Sequence, residues 1–155
     1  MKNNYLLALA AGSLLVLGSC KKAAAPPEDC PTLAVTITDV TGWNASPYCF
    51  ATPIGAIGQA QTYIINSASE LQALNHCAVV PTIDFARYTL LVGKTKTAAC
   101  SSVKAQQVTS SCGQYTYKVT LSAGLCQAVS EVLYYALVPK LAANAQVVFD
   151  VPPPS

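Results

Sequence analysis

Tyr115-Thr116-Tyr117-Lys118-Val119-Thr120-Leu121 decides the fold class. Apolar and polar residues alternate strictly through it. Tyr115, Tyr117, Val119 and Leu121 fall on one face, with Thr116, Lys118 and Thr120 on the other, which is the period of a half-buried strand. Ser122-Ala123-Gly124 then turns the chain. Beyond the turn, Val132 to Val138 is apolar throughout and ends at Pro139, and Gln146 to Val151 alternates again with Val147, Phe149 and Val151 inward.

Upstream, the spacing gives a weaker strand over residues 102–109. Tyr88-Thr89-Leu90-Leu91-Val92-Gly93-Lys94, following Asp84-Phe85-Ala86-Arg87, is apolar on both faces at first and reads as a central strand. Gln61-Thr62-Tyr63-Ile64-Ile65 is another strand. It runs into Ser67-Ala68-Ser69-Glu70, a capping-box spacing that predicts a short helix over residues 68–77 with Leu71, Leu74, Cys77 and Ala78 near one face. Leu33-Ala34-Val35-Thr36-Ile37-Thr38 alternates as a first strand. Six or seven strands, one good helix and no alternation of strands with helices predict a mainly antiparallel α+β domain.

Between the first two strands, residues 39–59 carry Gly42, Pro47, Pro53, Gly55 and Gly58 and hold no period. A loop this long tends to be functional or mobile. It contains the only tryptophan, Trp43, with Tyr48 and Phe50 around Cys49. These rings are candidates for a partner-binding surface, for a protein or a sugar ring, and equally for a small satellite core packed on a disulfide.

The domain is expected to cover residues 33–151, with Pro152-Pro153-Pro154-Ser155 as a loose tail. Residues 1–19 read as a secretory signal: Lys2 and the amino terminus are positive, and the apolar run from Tyr5 to Leu17 is too short to span a bilayer. Residues 20–32 read as a tether in which Pro26, Pro27 and Pro31 block regular structure. Extended, the nine residues between Cys20 and Cys30 reach roughly 30 Å.

Leu17-Gly18-Ser19-Cys20 resembles the lipobox of bacterial lipoproteins. The resemblance implies cleavage before Cys20, acylation of its sulfur and amine, and lasting attachment to a bilayer. Stable anchoring takes more than one membrane signal, and several acyl chains on one residue supply it. Lys21 after the cysteine resembles the sorting pattern of outer-membrane lipoproteins.

Six cysteines remain: Cys30, Cys49, Cys77, Cys100, Cys112 and Cys126. An even number in an exported chain predicts three disulfides, with fifteen pairings open. Zinc is disfavoured because no two lie two to four residues apart, and the only histidine, His76, adjoins Cys77. Charged residues are sparse at 10% and nearly balanced, which excludes the basic patch that nucleic acid would need.

Catalysis finds few groups. There is no Gly-x-Ser-x-Gly elbow and no phosphate-cradling glycine loop. Asp39, Glu70, Asp84, Glu131 and Asp150 could in principle supply a glycosidase pair, but Glu70 is explained by its cap and no spacing singles out two of the others. Asp84 either contacts a partner or accepts backbone N–H bonds in the turn before the strand. The expectation is a non-enzyme without metal or cofactor, with an envelope hydrolase or glycan-binding protein using residues 43–50 as the alternative.

Tyr63 to Leu71, Ile83 to Gly93, Tyr115 to Val119 and Tyr135-Ala136-Leu137-Val138-Pro139-Lys140 together resemble the C-terminal domain of the bacterial protease complex stability proteins (PrcB-like) and related small lipoproteins. The resemblance spans roughly residues 61–150: a strand and capped helix, an Asp-Phe segment, a central strand with a glycine, and a late Pro-Lys strand. Where that family often has Gly-Gly-Tyr, this chain reads Thr97-Ala98-Ala99-Cys100-Ser101, and its six cysteines are additional. The resemblance implies binding and stabilising rather than catalysis. The sequence as a whole therefore predicts a disulfide-stapled lipoprotein of the cell envelope, held at the outer membrane through Cys20, that binds another envelope protein.

Overall fold

The computed structural model describes residues 30–155 except Asn44, Cys77 and Ala78. The expected signal, the lipidation residue Cys20, the tether before Cys30 and the last residue of the expected helix, Cys77, lie outside the described residues. Within them the chain is mainly β, with one short α-helix. In order come β1 (Leu33–Val35), β2 (Ala60–Ile65), α1 (Ala68–Leu74), β3 (Tyr88–Thr97), β4 (Ser101–Ser111), β5 (Gln114–Ala123), β6 (Ser130–Pro139) and β7 (Gln146–Asp150).

Two sheets result, one ordered β1-β4-β5-β7 and the other β2-β3-β6. They face each other across a core in which Leu91, Tyr134, Ala136 and Val138 meet Val108, Tyr117, Val119 and Leu121. The strict alternation of residues 115–121 thus builds one wall of that core, as its period predicts. All pairings are antiparallel except β5 with β7, which run parallel from Gln114↔Gln146 to Lys118↔Asp150. The mainly antiparallel arrangement expected from the sequence is found, and its one parallel pairing has a topological reason. After β5 the chain crosses to the other sheet as β6, and it returns in the direction in which β5 left.

A third layer covers the far face of the three-stranded sheet. Trp43, Phe50 and Ala51 from the loop and Leu71 from α1 close over Ile65, Leu90, Val92 and Leu137. Hence β3 is buried on both faces, and its apolar doublet Leu90-Leu91 sends one residue into each core. The helix starts where the capping spacing places it, with the Ser67 hydroxyl accepting from Glu70 N–H at 3.2 Å; the Glu70 carboxylate reaches back one residue further than a capping box, accepting from Asn66 N–H at 2.6 Å. It ends sooner than expected, at Leu74, because Asn75 turns extended and bridges to Phe50.

The expected first strand is split between the sheets. Residues 33–35 pair with β4, and Thr38 then crosses to donate to the Leu137 carbonyl of β6 at 2.8 Å. The strand expected weakly at 102–109 is instead the longest, at 11 residues. Its turn into β5 uses Cys112 and Gly113, both at positive φ, the left-handed pair that a two-residue hairpin needs. A Cβ on Gly93 would land in the Tyr134 ring, so that position is confined to glycine by the ring lying across it. The Tyr134 hydroxyl is buried without a hydrogen-bond partner, and burial pushes it up to about 12.

Within the loop, residues 47–55 are anchored on β3 and β6 by side-chain hydrogen bonds. Lys94, 1% exposed, sends its ammonium off β3 into the loop, donating to the carbonyls of Phe50 (2.8 Å), Thr52 (2.9 Å) and Pro47 (3.2 Å). It also pairs with the Glu131 carboxylate at 3.2 Å, whose other oxygen accepts Ile54 N–H at 2.9 Å. Lys96 donates to the carbonyls of Ile54 and Gly55. Burial by itself would raise the Glu131 carboxyl; the Ile54 N–H, Lys94 and Lys96 outweigh it and hold the group below its ordinary value.

Replacing Lys94 by Met leaves Glu131 and three carbonyls without their donor, a change expected to cost about 3–5 kcal/mol in urea unfolding. The contribution of Glu131 has a depressed folded-state value, so it is present in full above the ordinary 4.5 and is lost as pH falls through the lower one. Wild type and Glu131→Gln are therefore expected to differ in stability at about pH 7 and to converge as the pH falls through the carboxyl's depressed value.

Candidate functional site

The two sheets do not overlap completely. On β2 the residues turned away from the loop layer are Ala60, Thr62 and Ile64, and all three are exposed, because the four-stranded sheet stops short of covering them. At the start of β2 this uncovered face runs into a pocket of about 520 Å³, walled by Ile57, Thr95, Thr97, Ala123, Val151 and the run Pro152–Pro154. Continuity follows from register, since Ala60 pairs with Thr95 and Gly58 N–H donates to the Lys96 carbonyl at 2.8 Å. The walls are mostly apolar and the volume lies in the range of small-molecule or side-chain sites.

Three prolines build one wall because the end of the described chain is held. Ser155 N–H donates to the Leu121 carbonyl and the Ser155 carbonyl accepts Ala123 N–H. The sequence pattern favours a loose tail, since proline cannot donate to a ladder; the residue after the prolines regains the edge of β5 instead.

The pocket lies at one end of the sandwich and the first described residue at the other. Cys30 is disulfide-bonded to Cys112 in the β4–β5 turn, and its carbonyl accepts from the Ser111 hydroxyl at 3.2 Å. Cys100, just before β4, is bonded to Cys126. The two bridges therefore bracket β4, whose 11 residues span roughly 35 Å. Cys49 is disulfide-bonded too, while Cys77 lies outside the described residues.

The aromatic candidates divide. Trp43 and Phe50 are 6% and 1% exposed, the indole packing at 4.5 Å on Tyr135 and at 6.3 Å on Phe50, and Phe50 at 5.7 Å on Tyr63. They belong to the second core and offer no ring to a partner. Tyr48, 80% exposed, is the one of the three that does. The carboxylates are dispersed: Glu131 holds the loop, Glu70 caps α1, and Asp84 accepts Ala86 N–H at 3.0 Å while its carbonyl accepts from Arg87 and Tyr88. Asp39 and Asp150 are exposed elsewhere, as is His76.

Among the described residues no group of three or more His, Cys, Asp or Glu could hold a metal ion, and no helix is long and apolar enough to cross a membrane. Sequence reasoning missed the pocket because its walls come from four separated segments. It also missed Lys94, whose place in an apolar strand was the available signal. No protein-family model matches the chain, and no match was found among curated proteins or solved structures.

Trp43→Ala is expected to cost about 3–5 kcal/mol in thermal or urea unfolding, the cost of removing a large ring from a core. Tyr48→Ala is expected to stay within about 0.5 kcal/mol of wild type by the same measurement.

Proposed function

We propose that this chain is a lipid-anchored, non-catalytic module of the bacterial cell envelope, attached at the outer membrane through acylated Cys20, that binds and stabilises another envelope protein. The observation that carries the reading is the position of the open end. The apolar pocket and the uncovered face of β2 lie away from Cys30, the point where residues 20–29 join the described domain. A domain held by that segment keeps its uncovered surface free for a partner.

The lipobox-like Leu17-Gly18-Ser19-Cys20 supports the anchoring. Oxidised cysteines support an exported location, since disulfides persist in oxidising compartments. The structural engagement of Glu70, Asp84 and Glu131 supports binding over hydrolysis. Burial of Trp43 and Phe50 removes the ring platform on which glycan binding by residues 43–50 would rest. The PrcB-like resemblance points the same way.

Cys20→Ser is expected to leave the chain uncleaved or soluble, read by membrane fractionation and intact mass. Wild-type protein used as bait in solubilised membranes is expected to recover a reproducible protein partner. Cleavage and membrane retention of Cys20→Ser would overturn the anchoring, and turnover of a glycan or peptide library that is lost on mutating one carboxylate would overturn the binding role.

A further inference from the structure

Resting on the protein-binding reading, we infer that β2 is a strand-addition site, which takes an uncharged extended segment of the partner as a fourth strand of the β2-β3-β6 sheet. The inference comes from comparing the edges. Edge strands are ordinarily protected from pairing by shortness, charge, proline or a bulge. β1 has three residues and follows Pro31; β7 ends at Asp150 and leads into Pro152–Pro154; β6 has its outer edge met by Thr38 and ends at Pro139.

β2 has none of these. Its six residues, Ala60-Gln61-Thr62-Tyr63-Ile64-Ile65, hold no charge and no proline, and their register with β3 is unbroken. One side of the strand is also uncovered, with Ile64 39% exposed. A segment laid along β2 would gain main-chain hydrogen bonds from the edge and would set alternate side chains over Thr62 and Ile64, toward the pocket at Ile57.

Charge selects the occupant. The lysines on and beside this sheet are already committed, Lys94 and Lys96 to the loop carbonyls and Lys140 to Asn66 at 3.0 Å. No carboxylate lies on β2. Among the described residues the one uncommitted cation near this sheet is Arg87, which lies beyond the Ile65↔Leu90 end of β2. Along the strand itself an incoming charge therefore finds no counterpart, and the segment that fits is uncharged, with the β-branched residues that strands favour. Residues 21–29 of this chain, with Lys21, Lys22, Pro26, Pro27, Glu28 and Asp29, lack that composition. A second copy pairing antiparallel through β2 would reverse the strand direction, putting the two Cys30 ends at opposite ends of the joined sheet. Two chains fixed to one membrane would then have to bridge roughly 35 Å, more than the roughly 30 Å that residues 21–29 reach when extended.

The test is amide hydrogen exchange of the mature lipidated protein in detergent. The probe is acetyl-Thr-Val-Thr-Val-Thr-Val-amide, and the control is the same peptide with proline at its third position. The uncharged peptide is expected to slow exchange in residues 60–65 about tenfold and the proline control to leave it unchanged. Thr62→Lys, at an exposed position, is expected to abolish the slowing without moving the melting temperature.

Unchanged exchange at millimolar peptide, or equal slowing in Thr62→Lys, would overturn the site. Slow exchange without peptide that deepens with protein concentration would assign β2 to a second copy and overturn the occupant. The two readings fail separately. A membrane partner retained by Thr62→Lys removes β2 while the binding role stands, and a peptide response with no partner recovered does the reverse.

Discussion

One buried ammonium determines how the outer layer of this domain sits. Lys94 lies on β3, a strand covered on both faces, where an unpaired charge would be costly. It is tolerated because three carbonyls and a carboxylate converge on it; the carbonyls come from a segment with no regular ladder of its own, the carboxylate from β6. The dependence runs both ways. The loop solves the desolvation of the lysine, and the lysine supplies donors that the loop carbonyls would otherwise seek from water. Once Pro47–Thr52 is fixed, Trp43 and Phe50 are carried onto Leu90 and Val92, and the second core closes.

Much of the architecture was legible because it rests on period and punctuation. Residues 115–121 declare which side chains face the core, Ser67 and Glu70 declare a helix start, and Leu90-Leu91 declares a strand without a wet face. What was hidden depends on contacts distant in sequence. Lys94 and Glu131 are 37 positions apart, and neither shows in its local pattern that the other is near. The length of β4 was hidden for a different reason. Its residues are mostly Ser, Gln and Thr, so it lacks an apolar alternation and is held by pairing to its neighbours and by cross-links at both ends.

The loop at residues 39–59 was legible as irregular backbone but not as an anchored one, for an instructive reason. Glycine, proline and the absence of a period do indicate irregular backbone, and the backbone is irregular. They say nothing about whether its polar groups are satisfied. Here satisfaction is supplied by side chains from β3 and β6, which allows a segment without regular structure to serve as a core layer. Along Pro47–Ile54 the carbonyls of Pro47, Phe50, Thr52 and Ile54 all accept from lysine ammoniums.

The same reasoning explains why the open side of the sandwich is where it is. The bridges Cys30–Cys112 and Cys100–Cys126 clamp β4 at both ends, and the lysines bind the loop to one face of β3. Neither device reaches the outer edge of β2. A strand that is fixed along its inner edge by β3 and left without charge, proline or bulge along its outer one keeps its backbone groups aligned at no further ordering cost. Preorganised donors and acceptors favour strand pairing over a flexible loop contact, because the entropy of ordering one partner has already been lost on folding.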